Sequence, residues 1–206
     1  MSQKKILHLG SCRAYLKRHG KHRPNLRFTC ENQTCNDQTL HKHGFYLRTP
    51  VFKHYRVNIP IYRWYCPICG ETLTVLPDFL VPWAHFATQV REAAMKRRTR
   101  GKSVTKVANS VTSTVVGGVS PDTVKRWWKR HLQNIGGVTQ WIASELIQSG
   151  VKEDLLRLHF KGVNPTILDT ATWLYALLAR LFNRELPPMQ GYFGALNVRL
   201  PQGMWV

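Results

Sequence analysis

The sequence predicts an α+β protein, mainly α, in which a small β zinc ribbon precedes a helix-turn-helix and a helical C-terminal module. Three observations support this prediction. Two short-spaced cysteine pairs flank segments of strand-like composition, a helix start signal lies at Ser120, and apolar residues recur at helical spacing through the last third. We divide the chain into a basic N-terminal arm (1–29), the ribbon (30–82), the helix-turn-helix region (83–135) and the C-terminal module (136–206).

The charge of the chain is strongly positive and unevenly distributed. The net charge of the 206 residues is +19 at pH 7. Residues 1–135 contain 24 Lys and Arg against 6 Asp and Glu, whereas residues 136–206 contain 6 against 5. A strongly cationic surface favours a polyanionic partner, most often nucleic acid. We therefore expect the first two thirds to bind double-stranded DNA, and the C-terminal helices to serve packing, self-association or a protein partner.

Two sequence properties argue against a membrane partner. No apolar run reaches the roughly 18 residues that can span a bilayer. Met1–Gly10 lacks the long apolar core of a signal peptide. These observations predict a cytoplasmic, nucleoid-associated protein, in which reduced cysteines are available to bind a metal.

The first 28 residues are basic and contain no acidic residue. We interpret them as an arm that contacts phosphates, and a solvated tail that only aids solubility is the alternative. The cations of this segment are Lys4, Lys5, Arg13, Lys17, Arg18, Lys21, Arg23 and Arg27.

Four of the five cysteines form two short-spaced pairs. Cys66 and Cys69 are followed by Gly70, which can adopt the positive φ that ends a metal-binding knuckle. Cys30 and Cys35 are separated by four residues, the wide end of the usual spacing. Two thiolate pairs of this kind predict a four-cysteine Zn²⁺ site. Two unrelated reduced thiol pairs are the alternative.

Three other residues have the chemistry of metal ligands. His41 and His43 lie where a substitute ligand could lie, and we interpret them as exposed polar residues. Cys12 is unpaired, and we interpret it as a free thiol rather than as a partner of His19 or His22 in another site.

The predicted ribbon contains three strands, at 43–49, 54–65 and 72–76. Arg56 and Arg63 alternate there with aromatic residues, a pattern that suits phosphate contact or base stacking. Aromatic residues in a small ribbon also form its core, which is the alternative. Few apolar residues are available to stabilise this sheet, so metal binding is expected to supply much of its folding free energy.

Segment 77–82 and the cationic helix after it connect the ribbon to the predicted DNA reader. We interpret 77–82 as a linker, because prolines bound it on both sides. A helix is predicted at 84–98. Five cations at its end exceed what helix capping needs and predict phosphate contact; they are Lys96, Arg97, Arg98, Arg100 and Lys102.

Two further helices form the predicted helix-turn-helix. The first begins at Ser103 and extends to about 111. The second begins at Ser120, with Pro121 at its first position, and extends to 133. The loop at 112–119 is longer than the turn of the compact motif.

The second of these helices is the predicted major-groove reader, because an apolar inner face lies opposite a basic outer face. An ordinary amphipathic helix with a solvated basic face is the alternative. The residues predicted on the outer face are Thr123, Arg126, Lys129 and Arg130.

The segment RWYCPICGETLTVLPDFLVPW, followed by KSVTKVA and VSPDTVKRWWK, resembles the N-terminal zinc-ribbon and helix-turn-helix region of bacterial insertion-sequence transposases and related small proteins. The resemblance covers roughly 30–133. It implies recognition of DNA, commonly at the ends of a mobile element. It also implies zinc at Cys30, Cys35, Cys66 and Cys69, and DNA near Thr123, Arg126 and Lys129. The chain departs from full transposases because no long catalytic domain follows this region.

The last third is predicted to be helical at 138–148, 151–160 and 165–183, with a wide apolar stripe on the longest helix. This stripe indicates either a core helix or a dimer interface. The aromatic tail at 186–206 is interpreted as a docking segment that ends on exposed Met204, Trp205 and Val206.

We assign no catalytic residue, because two-metal phosphoryl transfer needs several convergent carboxylates and the chain has only 11 acidic residues. Five of these lie in the predicted helical module, without a β-sheet to present them: Glu145, Glu153, Asp154, Asp169 and Glu185. The favoured function is therefore a DNA-binding factor of a bacterial mobile element, which positions DNA for a separate recombinase or regulates it. The alternatives are a compact transposase or nuclease with its own site, and an RNA-binding zinc-ribbon protein.

Overall fold

A computed structural model of the chain describes residues 2–152, 165–181, 191–201 and 204–205. Within them, an α+β fold joins a four-stranded sheet to a group of helices. The strands are β1 (Ser2–Leu7), β2 (His41–Arg48), β3 (Ile59–Tyr65) and β4 (Thr72–Pro77). They lie in the order β1-β4-β3-β2, with β1 parallel to β4 and the other pairs antiparallel.

The segment expected as a basic arm is folded. β1 adds to the edge of the sheet, where Ile6 pairs with Leu76 of β4. Helix α1 (Cys12–His19) follows and buries Tyr15, whose hydroxyl donates a hydrogen bond to the Pro60 carbonyl at 2.8 Å. The segment is highly charged but also contains a few apolar residues. Burial of these apolar residues holds the segment against the sheet.

The strands of the predicted ribbon are confirmed in part. β2 and β4 correspond to the strands expected at 43–49 and 72–76. Only the second half of the strand expected at 54–65 forms, as β3. His54 has a φ of 64°, a left-handed conformation that interrupts an extended strand.

The segment expected as a linker, 77–82, is buried. Phe79 and Leu80 are 1% and 0% exposed, and they pack in one cluster with Ile59 and Ile61 of β3. A proline at each end is therefore compatible with an ordered core segment. The apolar residues between the prolines decide its burial.

Five helices follow the sheet in the described part of the chain. They are α2 (Thr88–Thr99), α3 (Val104–Thr112), α4 (Pro121–Gln148), α5 (Ile167–Leu181) and α6 (Tyr192–Asn197). The two predicted start signals are confirmed. The Ser103 and Ser120 hydroxyl oxygens accept hydrogen bonds from the backbone N–H groups of Lys106 and Thr123.

Helix α4 continues through Gly136 and Gly137, where the sequence predicts a break between two helices. Neither glycine has a positive φ. The buried residues on both sides of the pair keep helical spacing, so a single helix presents a continuous apolar stripe to α5. This stripe consists of Ile135, Val138, Ile142 and Leu146.

The helical core continues into α5 and α6. The helix expected at 165–183 is confirmed as α5, which buries Leu174 and Leu178 in the core. The expected helix at 151–160 lies outside the described residues except for its first two positions, whereas most of the tail at 186–206 is described and contains α6. The exposed end predicted for the tail is wrong at Trp205, which is 8% exposed and accepts a hydrogen bond at its carbonyl from Asn134 Nδ2 at 3.0 Å.

None of the helices in the described residues has both the length and the apolar character needed to cross a bilayer.

Glu92 is a buried carboxylate that attaches α6 to α2. Its oxygens accept the Phe193 backbone N–H at 3.1 Å and the Lys96 ammonium at 2.7 Å, and its side chain is 4% exposed. We expect Glu92→Ala to lower the free energy of unfolding by about 2–3 kcal/mol, because a buried N–H loses its acceptor. Chemical denaturation measures this change. Glu92→Gln keeps an acceptor and should cost less; equal losses for the two variants would contradict this role.

Candidate metal centre and cationic surface

The hairpin between β3 and β4 positions the first cysteine pair. Cys66 follows the last residue of β3, and its backbone N–H bonds the Glu71 carbonyl at 2.8 Å. Gly70 donates its N–H to the Cys66 carbonyl at 2.9 Å and has a φ of 71°. The predicted role of Gly70 is confirmed, because this turn needs a left-handed residue to bring Cys69 back beside Cys66.

A short 3₁₀ turn positions the second pair. Gln33–Cys35 forms this turn, and the Asn32 side chain caps it by accepting from the Thr34 backbone N–H at 3.0 Å. Asn36 and Asp37 then adopt positive φ values of 46° and 55°. These left-handed residues reverse the chain directly after Cys35, and the Cys30 backbone N–H donates to the Gln38 carbonyl at 2.8 Å.

The four sulfurs converge on one point. The Sγ atoms of Cys30, Cys35, Cys66 and Cys69 all lie within 4.8 Å of one another, and the Cys30–Cys69 separation is 3.7 Å. Tetrahedral zinc with Zn–S bonds of about 2.3 Å places its sulfurs about 3.8 Å apart. The predicted cluster is confirmed, and its donor set and spacing fit a zinc ion or another thiophilic metal.

The backbone of the first knuckle favours a thiolate. A backbone hydrogen bond from Cys69, with a second from Ile68, lowers the pKa of the Cys66 thiol to about 7 against the opposing effect of burial. A metal ligand must be deprotonated, so this turn prepares Cys66 to bind.

An apolar cluster surrounds the sulfurs. Trp64 is 1% exposed and packs edge-to-face against Phe28, with ring centroids 5.0 Å apart. Leu73 and Val75 of β4 belong to the same cluster. The cluster is small, so the metal and the sheet are expected to stabilise each other.

The other candidate ligands lie outside this centre, as the sequence predicts. His41 and His43 are exposed and pack edge-to-face on Tyr65. Cys12 is buried and forms a hydrogen bond with the Tyr55 side chain, while burial raises the pKa of its thiol to about 11.

The cysteine cluster is the one group of three or more candidate metal ligands that the described residues bring together. Among the predicted acidic candidates, Asp169 accepts from the Thr166 backbone N–H at the start of α5. Glu153, Asp154 and Glu185 lie outside the described residues.

The cationic run at the end of α2 is partly engaged in internal contacts. Lys96 forms the ion pair with Glu92, and Arg97 donates to the Ala93 carbonyl at 2.9 Å. Arg98 donates to the Lys102 carbonyl and lies over the Trp128 ring at 4.9 Å. Arg100 and Lys102 are exposed.

The two arginines predicted in the ribbon lie at different places. Arg56 donates to the Val116 carbonyl at 3.0 Å and so contacts the loop between α3 and α4. Arg63 lies on β3, with its guanidinium 5.9 Å from the ring of Tyr46 on β2.

The first half of α4 carries a cationic face. Lys125, Arg126, Lys129 and Arg130 are exposed, whereas Val124 is 0% exposed in the helical core. Thr123 is half-buried, and its hydroxyl accepts from the Arg126 guanidinium at 3.2 Å. The predicted outer face is confirmed as exposed at Arg126, Lys129 and Arg130, whereas the prediction is wrong at Thr123.

Two arginines with defined roles are missed by sequence reasoning. Arg23 donates to the carbonyls of Arg63, His43 and Gly44, and so binds the loop before Cys30 to the sheet. Arg91 is 8% exposed inside the helical core. Neither position carries a local signal, because both roles depend on partners distant in sequence.

His131 is a buried imidazole on α4. Its ring stacks on Trp128 and Phe193 with centroids 5.6 and 5.9 Å apart, and neither ring nitrogen has a hydrogen-bond partner in the described part of the chain. Burial, with the nearby Arg91 charge, lowers its pKa to about 4 from 6.5. The unfolded chain therefore binds more protons between pH 6.5 and pH 4, and folding stability falls as the pH falls through this window.

We expect His131→Phe to remove this contribution. Between pH 7 and pH 4, the unfolding free energy of the parent should fall by about 3 kcal/mol more than that of the variant. Urea denaturation of both proteins at several pH values measures the difference. Because both proteins contain the metal centre, its own pH dependence cancels in this comparison. Parallel pH profiles would show that His131 is not buried in its neutral form.

Residues 30–127 match a family model described as a domain of unknown function (DUF6431). The matched region contains both cysteine pairs, α2, α3 and the first turns of α4. No curated protein and no solved structure shows a significant match to the chain.

Proposed function

We propose that this protein binds double-stranded DNA and that the first half of α4 enters the major groove. The observation that carries this proposal is the exposed cationic face of α4, which is supported from behind by a buried apolar face. α2, α3 and α4 pack against one another, so the face belongs to a rigid three-helix unit. A helix of this kind can reach base edges while neighbouring cations contact phosphates.

The four-cysteine centre is proposed to bind zinc and to brace this unit. The loop that follows β2 connects the two parts, because Val51 pairs with both Arg56 and Phe86, and Lys53 pairs with Val115 of the loop between α3 and α4. A metal-stabilised sheet would therefore support the entry to α4, without itself performing chemistry on DNA.

The cellular role that we propose is that of an accessory or regulatory factor of a bacterial mobile element, which positions DNA for a separate recombinase. Its support is the resemblance of 30–133 to the DNA-binding region of insertion-sequence transposases. Binding of a protein partner, or self-association, through the C-terminal helices is part of the same proposal. Light scattering of the purified protein with and without a duplex tests self-association.

The salt dependence of duplex binding tests the proposal. The affinity of the metal-loaded protein for a duplex should fall steeply between 50 and 200 mM salt, roughly a thousandfold if six phosphates are contacted. Lys129→Ala should weaken binding and reduce the slope of log K against log salt by about one. Fluorescence anisotropy measures both quantities. A slope near zero would contradict DNA binding.

RNA binding is the second candidate function, and β2 favours it. Phe45 is 57% exposed and Tyr46 is 38% exposed on this edge strand, beside the cations Lys42 and Arg63. Exposed aromatic rings on a strand can stack single-stranded bases. Competition between a duplex and a single-stranded RNA at matched salt separates the two functions. If RNA displaces the duplex from the parent but not from Phe45→Ala, β2 is the principal nucleic-acid-binding site.

A further inference from the structure

A cavity of about 370 Å³ lies between segment 82–86, α2 and the first turns of α4. Three arginines line it, namely Arg91 from α2 and Arg126 and Arg130 from α4, together with the Thr123 side chain. None of the described residues that line it is acidic. The described lining of the cavity is therefore cationic, and it lies at the side of the proposed DNA-binding helix.

Arg91 is the least expected of these residues. It is 92% buried, and its Nε has no hydrogen-bond partner among the described residues. Burial, with the nearby charge of Arg130, lowers the pKa of Arg91 to about 10, and at neutral pH it remains charged. A buried cation without a carboxylate partner is costly, unless an anion binds to it.

Aromatic side chains form the other walls. Phe86 and Trp127 pack edge-to-face with ring centroids 5.0 Å apart, and both line the cavity. Trp83 also lines it, is 76% exposed and has a φ of 56°, which is a strained conformation for a bulky residue. The Lys4 ammonium lies 3.3 Å from the centre of the Trp83 ring and contributes to holding it in place.

We propose that this cavity binds a nucleotide, with its phosphate on Arg91, Arg126 and Arg130 and its base against the aromatic walls. Arginine guanidinium groups bind phosphate in pairs of parallel hydrogen bonds, and aromatic rings stack any base. The volume lies within the range of small-ligand sites and is larger than a phosphate needs. The ligand is either a free mononucleotide or an unpaired nucleotide at the end of a DNA strand.

This site goes beyond the proposed duplex binding and does not depend on it. Lys125 and Lys129 are not among the residues that line the cavity, although they belong to the exposed face of α4. The two kinds of binding can therefore be separated by substitution. Substitution of Lys129 tests duplex binding, and substitution of Arg91 tests binding in the cavity.

Titration calorimetry of the metal-loaded full chain with dAMP, adenosine and inorganic phosphate tests the proposal. We expect dAMP to bind, inorganic phosphate to bind more weakly and adenosine to bind at least tenfold more weakly. Arg91→Met should weaken dAMP binding at least tenfold, since charged hydrogen bonds are lost. Arg126→Met, at an exposed position, provides the same test if Arg91→Met fails to fold. Lys125→Met is the matched control and should bind dAMP like the parent.

The outcomes are distinct. No binding of dAMP, or equal binding by the parent and both Arg variants, would overturn the site even if duplex binding is found. Adenosine binding as tight as that of dAMP would overturn the role of the arginines, and phosphate binding as tight as that of dAMP would overturn the role of the base. A duplex with a 5′-phosphorylated one-nucleotide overhang, compared with the same duplex with blunt ends, distinguishes the sources. Tighter binding of the overhang duplex by the parent but not by Arg91→Met supports a strand end, and equal binding of the two duplexes supports a free nucleotide.

Discussion

Replacing Cys66 by Ser is expected to abolish metal binding and to unfold the sheet around the cysteines. A structural zinc ion contributes about 10–16 kcal/mol to the folding of small zinc domains, which is as large as the whole stability of a typical domain. The cluster that contains Trp64, Leu73 and Val75 is too small to compensate. Metal analysis of the purified protein and thermal unfolding measure the two effects. Chelation of the parent protein should reproduce them.

Cys12→Ala is the control for this substitution. Cys12 is also a buried thiol, at 7% exposure, but it lies in a separate apolar cluster with Tyr15 and Phe79. Its replacement should leave one metal ion bound per chain and lower stability by only about 1–2 kcal/mol. Full metal content in Cys66→Ser, or complete loss in Cys12→Ala, would show that the centre is assigned to the wrong residues.

Reversing two charges on α4, with Lys125→Glu and Lys129→Glu together, should weaken duplex binding about a hundredfold or more at low salt. Both side chains are exposed, so folding should be unaffected, and each reversal replaces an attraction to phosphate by a repulsion. Anisotropy titration at 50 mM salt measures the loss. Circular dichroism confirms that the helix remains folded.

A second double variant controls for net charge. Lys17→Glu and Lys152→Glu change the total charge by the same amount, at exposed positions on α1 and beyond the end of α4. If long-range attraction alone governs binding, the two double variants should lose affinity equally. A much larger loss for the α4 pair places the duplex on that helix. Equal losses would contradict the assignment.

The local elements of this protein could be predicted because their causes lie within a few residues. A serine hydroxyl accepts from a backbone N–H three residues later, so Ser103 and Ser120 define the starts of α3 and α4 without tertiary contacts. Gly70 and the spacing of Cys66 and Cys69 likewise determine a knuckle. The cysteine cluster followed from these turns, although its convergence required the sheet.

The elements that sequence reasoning missed depend on distant partners. β1 is a strand because it pairs with the edge of β4, where Ile6 lies opposite Leu76. The lysines of β1, by themselves, suggest a solvated arm. Similarly, α4 continues through Gly136 and Gly137 because the buried residues on both sides of this pair belong to the same core cluster as the buried residues of α5. Two glycines cost about 2 kcal/mol of helix propensity, and burial of that stripe exceeds this cost.

The sequence by itself determined the ligand set of the metal centre, the helix starts and the separation of cationic from apolar faces on α4, because each follows from spacing along the backbone. Only the tertiary structure decided that Arg91 is buried beside Arg130, and that Trp83 and Trp127 line the same cavity. The physical reason is that burial and charge pairing are properties of neighbours in space. α2, α4 and segment 82–86 become neighbours only when the core assembles.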